Sequence, residues 1–458
     1  MSGPEPDHRR GSAMNRYLEG NYAPVTEEVT ETDLPVTGTL PAWLEGRYLR
    51  NGPNPITADP ATYHWFTGDG MVHGVRLRDG RAEWYRNRWV RNESVATALG
   101  EQWKGGPVHG GFDFAANTNV IGHAGRTFAI VEAGSRPYEL TDELETLAVC
   151  DFDGTLPGGY TAHPKRDPET GELHAVSYFF GWGNKVQYSV IDRDGRVRRT
   201  VDVELGASPM LHDMSLTERY AVIYDLPVTF DMDLAVSGAS FPYAWDPEYQ
   251  ARIGLLPREG TAEDARWFDV EQCYVFHPLN AYDDGDRVVL DVVRHPRMFD
   301  RNRLGPDEGS PTLDRWTVDL VAGKVLEERL DDRGQEFPRV DERLVGRRHR
   351  YGYSVAVVED DEKHLDFGAN AVLKHDLVSG TTEAREFRNG AAAEFVMVPS
   401  SADAGEDDGI LMGFVYDRDR DASDLVLLDA ATLADVASVR LPVRVPYGFH
   451  GNWVPSPG

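Results

Sequence analysis

Short hydrophobic or alternating stretches recur along the whole chain and are separated by turn sequences. Their length and pattern are typical of β-strands that are at least half buried. Long helical periodicity is scarce, and TAEDARWF (261–268) is one of the few helical candidates. Clear strand candidates are RTFAIVEAG (126–134), RYAVIYDLPV (219–228), RVVLDVVRH (287–295), GILMGFVYD (409–417) and DLVLLDAATL (424–433).

Asp-Gly pairs mark the turns between these stretches. They stand at 79–80, 153–154, 194–195, 284–285 and 408–409. Asp-Gly favours a tight hairpin because both residues tolerate a positive φ. Many short strands joined by such turns predict an all-β sandwich, barrel or propeller. For 458 residues without a break in composition a propeller fits best, and about 40–65 residues per blade would give about seven to ten blades.

The chain shows little sign of division into domains. Its length suggests two or three domains, yet no Gly/Ser-rich or Pro-rich linker divides it. We predict a flexible tail over residues 1–20, which are polar and lack a core pattern, and one propeller domain over 21–458. The tail has no apolar segment of a secretory signal, and no run approaches the ~18 apolar residues of a membrane span. These features predict a soluble protein without stable membrane insertion.

Charge and cysteine content narrow the classes of partner. The formal net charge of −29 opposes binding to nucleic acid or anionic lipid and favours a neutral or apolar small-molecule ligand. Cys150 and Cys273 are the two cysteines, and neither belongs to a CxxC motif, which argues against a thiolate metal site. So few thiols fit a reducing cytoplasm, and we predict a cytoplasmic location.

Four histidines occupy similar short motifs, each beside apolar or small residues. Consecutive members are separated by 49, 65 and 173 residues, so no local structure brings them together. A propeller returns repeatedly to one axis and could do so, and neutral imidazoles suit Zn, Cu, Fe and Ni. The chain has 14 histidines, however, and spacing alone does not select these four. They are His163 in TAHPK, His212 in LHDM, His277 in FHPLNAY and His450 in GFHGNW.

At these four motifs the sequence resembles the carotenoid cleavage oxygenase family. The resemblance runs from RYLRNGPNP (47–55) to the C-terminus and includes FTGDGMVHG (66–74), EFPRVDERL (336–344) and EDDG (406–409) in family order. It implies a seven-bladed β-propeller with the metal on the central axis, and loops and short helices capping one face. It also implies that the four histidines hold Fe(2+) and that O2 is the co-substrate.

The resemblance further implies residues around the iron. A metal-bound histidine needs its second ring nitrogen held, often by a carboxylate. The family's three glutamates for this purpose fall on Glu132 in AIVEAG, Glu336 in QEFP and Glu394 in AAEFVMVP, and Thr118 in ANTNV falls near the open iron position. The ordinary alternative for each glutamate is a solvated surface charge. A closed structural metal site is the alternative for the whole set, although structural zinc usually includes cysteine.

The implied reaction is scission of a conjugated C=C bond by O2 into two carbonyl products. The family divides between carotenoids or apocarotenoids and phenolic stilbenes or phenylpropenoids. Stilbene cleavers bind the phenol oxygen with a Tyr and a Lys, and the matching positions in this chain are Trp89 in YRNRWVR and Arg126 in GHAGRTFAIVE. Trp has no phenolic hydroxyl and Arg does not accept a proton, which counts against a 4-hydroxystilbene. The structural alternative is that Trp89 is a core residue and Arg126 lies in a surface turn.

Aromatic clusters would suit an apolar tunnel, although such clusters are more often plain core. They are YHWF (63–66), FFGWGN (179–184) and ASFPYAW (239–245), and Phe66 is expected to border the active site. We therefore predict a carotenoid or apocarotenoid substrate, with at most weak peripheral membrane contact through 228–245. A stilbene or phenylpropenoid dioxygenase is the first alternative. A propeller that binds or isomerises an apolar ligand without oxygenase activity is the second.

Overall fold

Seven antiparallel sheets surround one axis in the computed structural model of the protein, which describes residues 15–306, 308–359, 365–366 and 370–456. Both the predicted all-β class and the seven-bladed propeller are confirmed. We number the blades by the order of their innermost strands, so that blade 7 ends the chain. Turn chemistry explains the short connections: Asp79 (φ 51°) and Gly80 (φ 67°) form the predicted hairpin turn inside blade 7.

Blades 1 to 4 each have four strands, which follow one another from the axis outward. Blade 1 contains Asn119–His123, Arg126–Ile130, Tyr138–Leu140 and Thr146–Val149. Blade 2 contains Lys165–Arg166, Leu173–Tyr178, Lys185–Ile191 and Val197–Glu204. Blade 3 contains Met214–Leu216, Tyr220–Asp225, Arg252–Pro257 and Arg266–Asp269. Blade 4 contains Pro278–Asp284, Arg287–Arg294, Thr312–Asp319 and Lys324–Asp331.

Blades 5 to 7 complete the ring. Blade 5 contains Gln335–Arg339, Tyr351–Ala356, Ala371–Asp376 and Thr381–Glu386. Blade 6 contains an interrupted inner strand, Gly390–Ala392 and Val396–Pro399, then Gly409–Asp417, Ala422–Asp429, Asp435–Arg440 and Val36–Gly38. Blade 7 contains Gly451–Pro455, Gly46–Pro53, Gly70–Arg78, Arg81–Trp89 and Thr30–Thr32. Two ribbons lie outside the blades, Val228–Phe230 with Tyr243–Trp245 and Val358–Glu359 with Leu365–Asp366.

Strands from both ends of the chain close the ring. The last strand of the chain is the innermost strand of blade 7 and pairs with Gly46–Pro53, placing Asn452 opposite Leu49. Val36–Gly38 adds an outer strand to blade 6. Around the axis the innermost strands of neighbouring blades contact one another, as in blades 2 and 3, 3 and 4, 4 and 5, and 7 and 1. The start of each innermost strand is therefore close to the starts of the others.

Helices are few and short in the described part of the chain. The two α-helices are Glu93–Ala98 and Met232–Val236, and the 3-10 turns are Arg16–Leu18, Gly20–Tyr22, Trp65–Thr67, Phe180–Trp182, Ala262–Asp264 and Glu342–Leu344. The helix predicted over 261–268 is wrong, because one turn capped by Thr261 and Asp264 leads directly into a strand of blade 3. So short a segment gains little as an isolated helix. None of the described helices is long and apolar enough to span a membrane.

The N-terminal segment joins the body earlier than predicted. Residues 1–14 lie outside the described residues, but residues 15–20 of the predicted tail pack against the propeller. Tyr17 is 2% exposed and stacks on Trp65 with 5.7 Å between ring centroids. The side-chain amide of Asn15 donates to the carbonyl of Tyr63 at 2.8 Å. Burial of the Tyr17 ring accounts for the difference, since aromatic rings contribute much of the apolar area that a fold buries.

Candidate metal centre

All seven innermost strands start at the same end of the propeller axis. In each blade one of the residues singled out from the sequence lies within two positions of that start or, in blade 6, of the start of Val396–Pro399, the second half of the interrupted strand. Blades 1 to 7 contribute Thr118, His163, His212, His277, Glu336, Glu394 and His450 in that order. Glu132 is the exception, because it follows the second strand of blade 1. Residues that are far apart along the chain thus lie close together in space, because each blade starts at the same end of the axis.

The four histidines meet at the axis. All four are buried, and one ring nitrogen of each lies within 4.8 Å of those of the other three. The Nε2 atoms of His212 and His277 are 3.3 Å apart, and the rings of His163 and His212 are 4.4 Å apart between centroids. Such a group can hold a metal ion.

Three of these rings are held by buried glutamates through their Nδ1 atoms. The Nδ1 of His212 lies 2.9 and 3.0 Å from the two oxygens of Glu132. The corresponding distance is 2.6 Å from His277 to Glu336 and 3.0 Å from His450 to Glu394. An ionised carboxylate only accepts, so each Nδ1 donates and each Nε2 keeps a lone pair for a metal.

The geometry of Glu394 depends on the break in the inner strand of blade 6. Glu394 stands between the two short strands Gly390–Ala392 and Val396–Pro399, which both pair with Gly409–Asp417. Opposite the break, a Cβ on Gly413 would lie 2.7 Å from the Glu394 carbonyl oxygen and 2.5 Å from the Phe395 ring. Only glycine leaves room for this close approach. Such an irregularity re-aims a side chain, as β-bulges do beside active sites.

His163 is held differently from the other three. Its Nδ1 lies 3.7 Å from Oδ2 of Asp213, and the same carboxylate accepts from Nζ of Lys165 at 2.8 Å. The Nε2 of His163 is buried and has no hydrogen-bond partner among the described residues. Asp213 was not predicted from the sequence, although it directly follows His212 in LHDM. Its donor Lys165 belongs to blade 2 and is 48 residues away along the chain.

The surroundings keep most of these imidazoles neutral. Burial, reinforced by the other three histidines, lowers the pKa of His163 well below its ordinary value. Burial likewise lowers the pKa of His277 to about 4 and lowers that of His450. Burial acts the same way on His212, but the charge and hydrogen bond of Glu132, together with the charges of Asp213 and Glu336, outweigh it and raise the pKa of that ring. Metals bind the neutral form, so the donor set fits a resident transition-metal ion.

An apolar cavity of about 470 Å³ ends at the histidine cluster. It is bordered by His212, His277, His450 and Thr118 at the axis and by exposed Thr67 and Ser240 at its outer side. Its walls are mainly aromatic, as in sites that bind apolar molecules. The aromatic residues are Trp65, Phe66, Phe112, Phe114, Tyr178, Phe180, Phe230, Phe241, Tyr243, Phe276, Phe337 and Phe449. Several of these residues belong to the aromatic clusters noted in the sequence, and the others stand elsewhere along the chain.

A second, polar cavity of about 540 Å³ also reaches the cluster. His277 and His450 border both cavities, whereas His163 borders the polar one and His212 the apolar one. The polar cavity includes Lys165, Asp213, Arg339 and Glu394 near the axis and extends to exposed residues such as Asp142. The histidine cluster therefore separates a polar side of the axis from an apolar side.

The residues predicted to bind substrate lie in different places. Phe66 borders the apolar cavity, where its ring lies edge-to-face with Phe276 at 5.9 Å and Phe449 at 5.5 Å. Trp89 and Arg126 require a correction, because neither borders that cavity. Trp89 is packed in the core, and its indole nitrogen donates to the Asn54 carbonyl at 2.8 Å.

Arg126 is directed to other partners at the rim of the polar cavity. Its guanidinium pairs with Glu139 and lies 3.3 Å from Sγ of Cys150. It also lies over the ring of Phe128, 5.0 Å from the centroid. The core alternative therefore describes Trp89, whereas Arg126 begins the strand Arg126–Ile130 and is partly buried, so it does not lie in the surface turn that was its alternative.

Known proteins resemble the whole of this architecture. The chain matches the family model described as "Retinal pigment epithelial membrane protein" over residues 22–455. It is 54% identical to the "Carotenoid cleavage oxygenase" of Mycobacterium tuberculosis, covering 97% of this chain and 98% of that protein. The chain belongs to the carotenoid cleavage oxygenase family. The resemblance stated from the sequence motifs is confirmed, and so is the predicted class of enzyme, an oxygenase.

Solved structures of carotenoid cleavage oxygenases and their relatives share the fold over nearly the full length. The lignostilbene dioxygenase of Pseudomonas brassicacearum matches with a TM-score of 0.86 and 30% identity, over 96% of this chain and 98% of that one. A cobalt-substituted Synechocystis apocarotenoid oxygenase matches with a TM-score of 0.84 and 28% identity, over 94% and 97%. The two neighbours carry different substrate names, so the fold alone does not choose between polyenes and stilbenes.

Proposed function

We propose that the protein is a non-haem Fe(2+)-dependent dioxygenase that cleaves a conjugated C=C bond of a carotenoid or apocarotenoid with O2, giving two carbonyl products. The observation that carries this proposal is the aromatic cavity that ends at the four buried histidines. In the proposal His163, His212, His277 and His450 hold the iron, and Glu132, Glu336 and Glu394 orient three of them. The Mycobacterium relative named for carotenoid cleavage supports the same substrate class.

Ferrous iron supplies the redox chemistry that activates O2, and the chain supplies binding, orientation and a dry site. Four neutral imidazoles leave the double positive charge of the ion uncompensated by ligand charge. The glutamates fix the Nδ1–H tautomers, so the Nε2 lone pairs stay directed at one point. The aromatic walls bind an apolar chain and exclude water. Thr118 borders the cavity beside His450, whose backbone N–H donates to the Thr118 carbonyl at 3.0 Å.

The charges around the apolar cavity favour a polyene over a hydroxystilbene. None of the described residues bordering this cavity is a lysine or an arginine. A phenolate bound there would be a poorly solvated anion beside the carboxylates of Glu132 and Glu336, which border the same cavity. A hydrocarbon chain has no charge to solvate, and its burial against aromatic rings is favourable by about 25 cal/mol per Å².

The test is product analysis with two substrates in parallel. Iron-loaded protein is incubated in air with an apocarotenal and, separately, with resveratrol, and both O2 consumption and chromatographed products are followed. We expect shortened apocarotenals with stoichiometric O2 uptake from the first substrate alone, and none from anaerobic or metal-free samples. Benzaldehydes from resveratrol alone would replace our substrate class with the stilbene class. Binding or isomerisation without O2 uptake would overturn the oxygenase proposal.

We also propose that residues 21–458 act as a single catalytic domain in the cytoplasm. The net charge of −29 and two buried, free cysteines support this location, since a reducing compartment keeps thiols unpaired. Any membrane contact would be weak and peripheral, through the short helix Met232–Val236, where Met232 is 65% and Val236 80% exposed. Fractionation of cells into membrane and supernatant would test the location.

A further inference from the structure

A fifth buried histidine, His295, stands just outside the cluster. It follows the second strand of blade 4 and is fully buried. Two backbone hydrogen bonds with Tyr274, of 2.7 and 2.9 Å, fix its position. The ring of Phe276, which borders the apolar cavity, packs edge-to-face against its imidazole with 5.2 Å between centroids. Its sequence setting, RHPR, shares the His-Pro pair of TAHPK and FHPLNAY but has an arginine on each side of that pair.

His295 and His277 share one carboxylate. The Nε2 of His295 lies 2.8 Å from Oε1 of Glu336, while Oε2 of Glu336 accepts from His277 Nδ1 at 2.6 Å and from the Phe337 backbone N–H. Because an ionised carboxylate only accepts, His295 donates from Nε2. It is the single hydrogen-bond partner of Oε1 among the described residues. Glu336 is 1% exposed, so bulk solvent has little access to that oxygen.

The second ring nitrogen of His295 destabilises the fold, and the hydrogen bond to Glu336 offsets this loss. Its Nδ1 is buried without a partner in the described part of the chain, and an unsatisfied buried polar atom destabilises the folded state. Among the other buried histidines, His174 contacts Tyr188 and Arg258 and His375 contacts Thr382 and Ser354, so these two use both nitrogens. His64 and His349, like His295, each leave one buried ring nitrogen without a hydrogen-bond partner among the described residues. A phenylalanine would fill the same space without this cost. The contact with Glu336 is therefore the feature that distinguishes His295 from an ordinary core residue.

The three glutamates of the site are not equivalent in their outer contacts. Glu394 lies 3.3 Å from the guanidinium of Arg339 and also accepts from the Gly451 N–H at 2.7 Å. Glu132 places both oxygens on His212 and also accepts from the Tyr178 hydroxyl. Glu336 has a second imidazole instead of a cation. Without that imidazole Oε1 would lose its donor, and only Oε2 would remain held, by His277 Nδ1 and the Phe337 N–H.

We propose that His295 is a positioning residue of the metal centre: it fixes the carboxylate of Glu336 and, through it, the tautomer and orientation of His277. This inference rests on the proposed metal-binding function of His277. Partners one step removed from a metal ligand typically change metal affinity by about 10- to 100-fold when they are removed.

The test compares replacements that differ only in reach and hydrogen-bonding capacity. Co2+ alone serves as the probe, with its dissociation constant measured by equilibrium dialysis and its visible absorption recorded for each full-length variant. His295→Phe removes the donor, and His295→Asn keeps an amide that is too short to reach Oε1. His295→Gln carries an amide nitrogen near the former Nε2. His73→Phe is the matched control, because His73 is a buried histidine in blade 7 that contacts Tyr85 at 2.9 Å.

We expect His295→Phe and His295→Asn to weaken Co2+ binding by about 10- to 100-fold and to alter the absorption spectrum. His295→Gln should stay within about threefold of the unmodified protein, and His73→Phe should match it. Unmodified affinity in the Phe and Asn variants would overturn the proposal, and so would an equal loss in the Gln variant, because reach to Oε1 would then not matter. Absence of Co2+ binding by the unmodified protein would instead overturn the proposed metal centre itself.

Discussion

Replacing His277 with alanine is expected to empty the metal centre and abolish oxygen-dependent cleavage. His277 lies between both cavities, and its Nε2 is 3.3 Å from that of His212. Four-ligand protein sites bind zinc with about 10–16 kcal/mol, so the loss of one ligand should cost about 3 kcal/mol, or two orders of magnitude in affinity. The deletion also leaves the Glu336 carboxylate, which is 1% exposed, with one imidazole partner instead of two.

The measurement is bound iron per chain after equilibrium dialysis, followed by the O2-uptake assay. His375→Ala is the matched control, since His375 is a buried histidine of blade 5 bonded to Ser354 and Thr382. It should lose stability but keep its iron. Full iron occupancy and full activity in His277→Ala would remove His277 from the set of ligands and leave three histidines to hold the metal.

Replacing Glu394 with alanine should both destabilise the fold and weaken metal binding. Glu394 is 2% exposed and accepts from His450 Nδ1, the Gly451 N–H and the Arg339 guanidinium at 3.0, 2.7 and 3.3 Å. Its removal takes one carboxylate from Arg339, which keeps Glu342 and Asn452 as partners, so we expect a loss of about 1–3 kcal/mol of unfolding free energy. His450 also loses the acceptor that holds its tautomer, so affinity should fall by about 10- to 100-fold.

Urea unfolding of the metal-free protein separates the two effects, and Glu342→Ala is the control. Glu342 pairs with the same Arg339 at 2.7 Å, but its side chain is 54% exposed, so its loss should cost less than about 1 kcal/mol. Equal destabilisation by the two variants would show that burial does not decide the strength of these pairs. Unchanged metal affinity in Glu394→Ala would remove Glu394 from the proposed support of His450.

The Glu394 carboxylate is expected to make the stability of the folded protein depend on pH. Burial alone would raise the pKa of Glu394, but Arg339 and His450 outweigh it and lower the pKa to about 2. A carboxyl group whose pKa is depressed in the folded state stabilises the protein above its ordinary pKa and loses this contribution as the pH falls. The stability difference between the unmodified protein and Glu394→Ala should therefore be largest near neutral pH and shrink as the pH is lowered towards 2.

Predictions from local sequence signals were correct where the interactions that decide the structure are also local. Asp79-Gly80 predicted a hairpin turn, and both residues have positive φ in the structure. The helix prediction for 261–268 was wrong because a non-local interaction decides the structure there. Strand pairing of Arg266–Asp269 with Arg252–Pro257 outweighs a weak helical preference. Tyr17, inside the segment expected to be a tail, is likewise buried through its contact with Trp65. In both cases the partner that decides the structure lies outside the local segment.

By itself the sequence determined the strand pattern, the family and a short set of histidines, because motifs and alternation are carried by neighbouring residues. Only the tertiary structure decided which side chains share a partner. It brought Asp213 beside His163 and His295 onto Glu336, and it left Trp89 and Arg126 away from the apolar cavity. The physical reason is that seven innermost strands begin at one end of the axis, so blade order sets the distances there. Residue spacing along the chain carries no measure of that convergence.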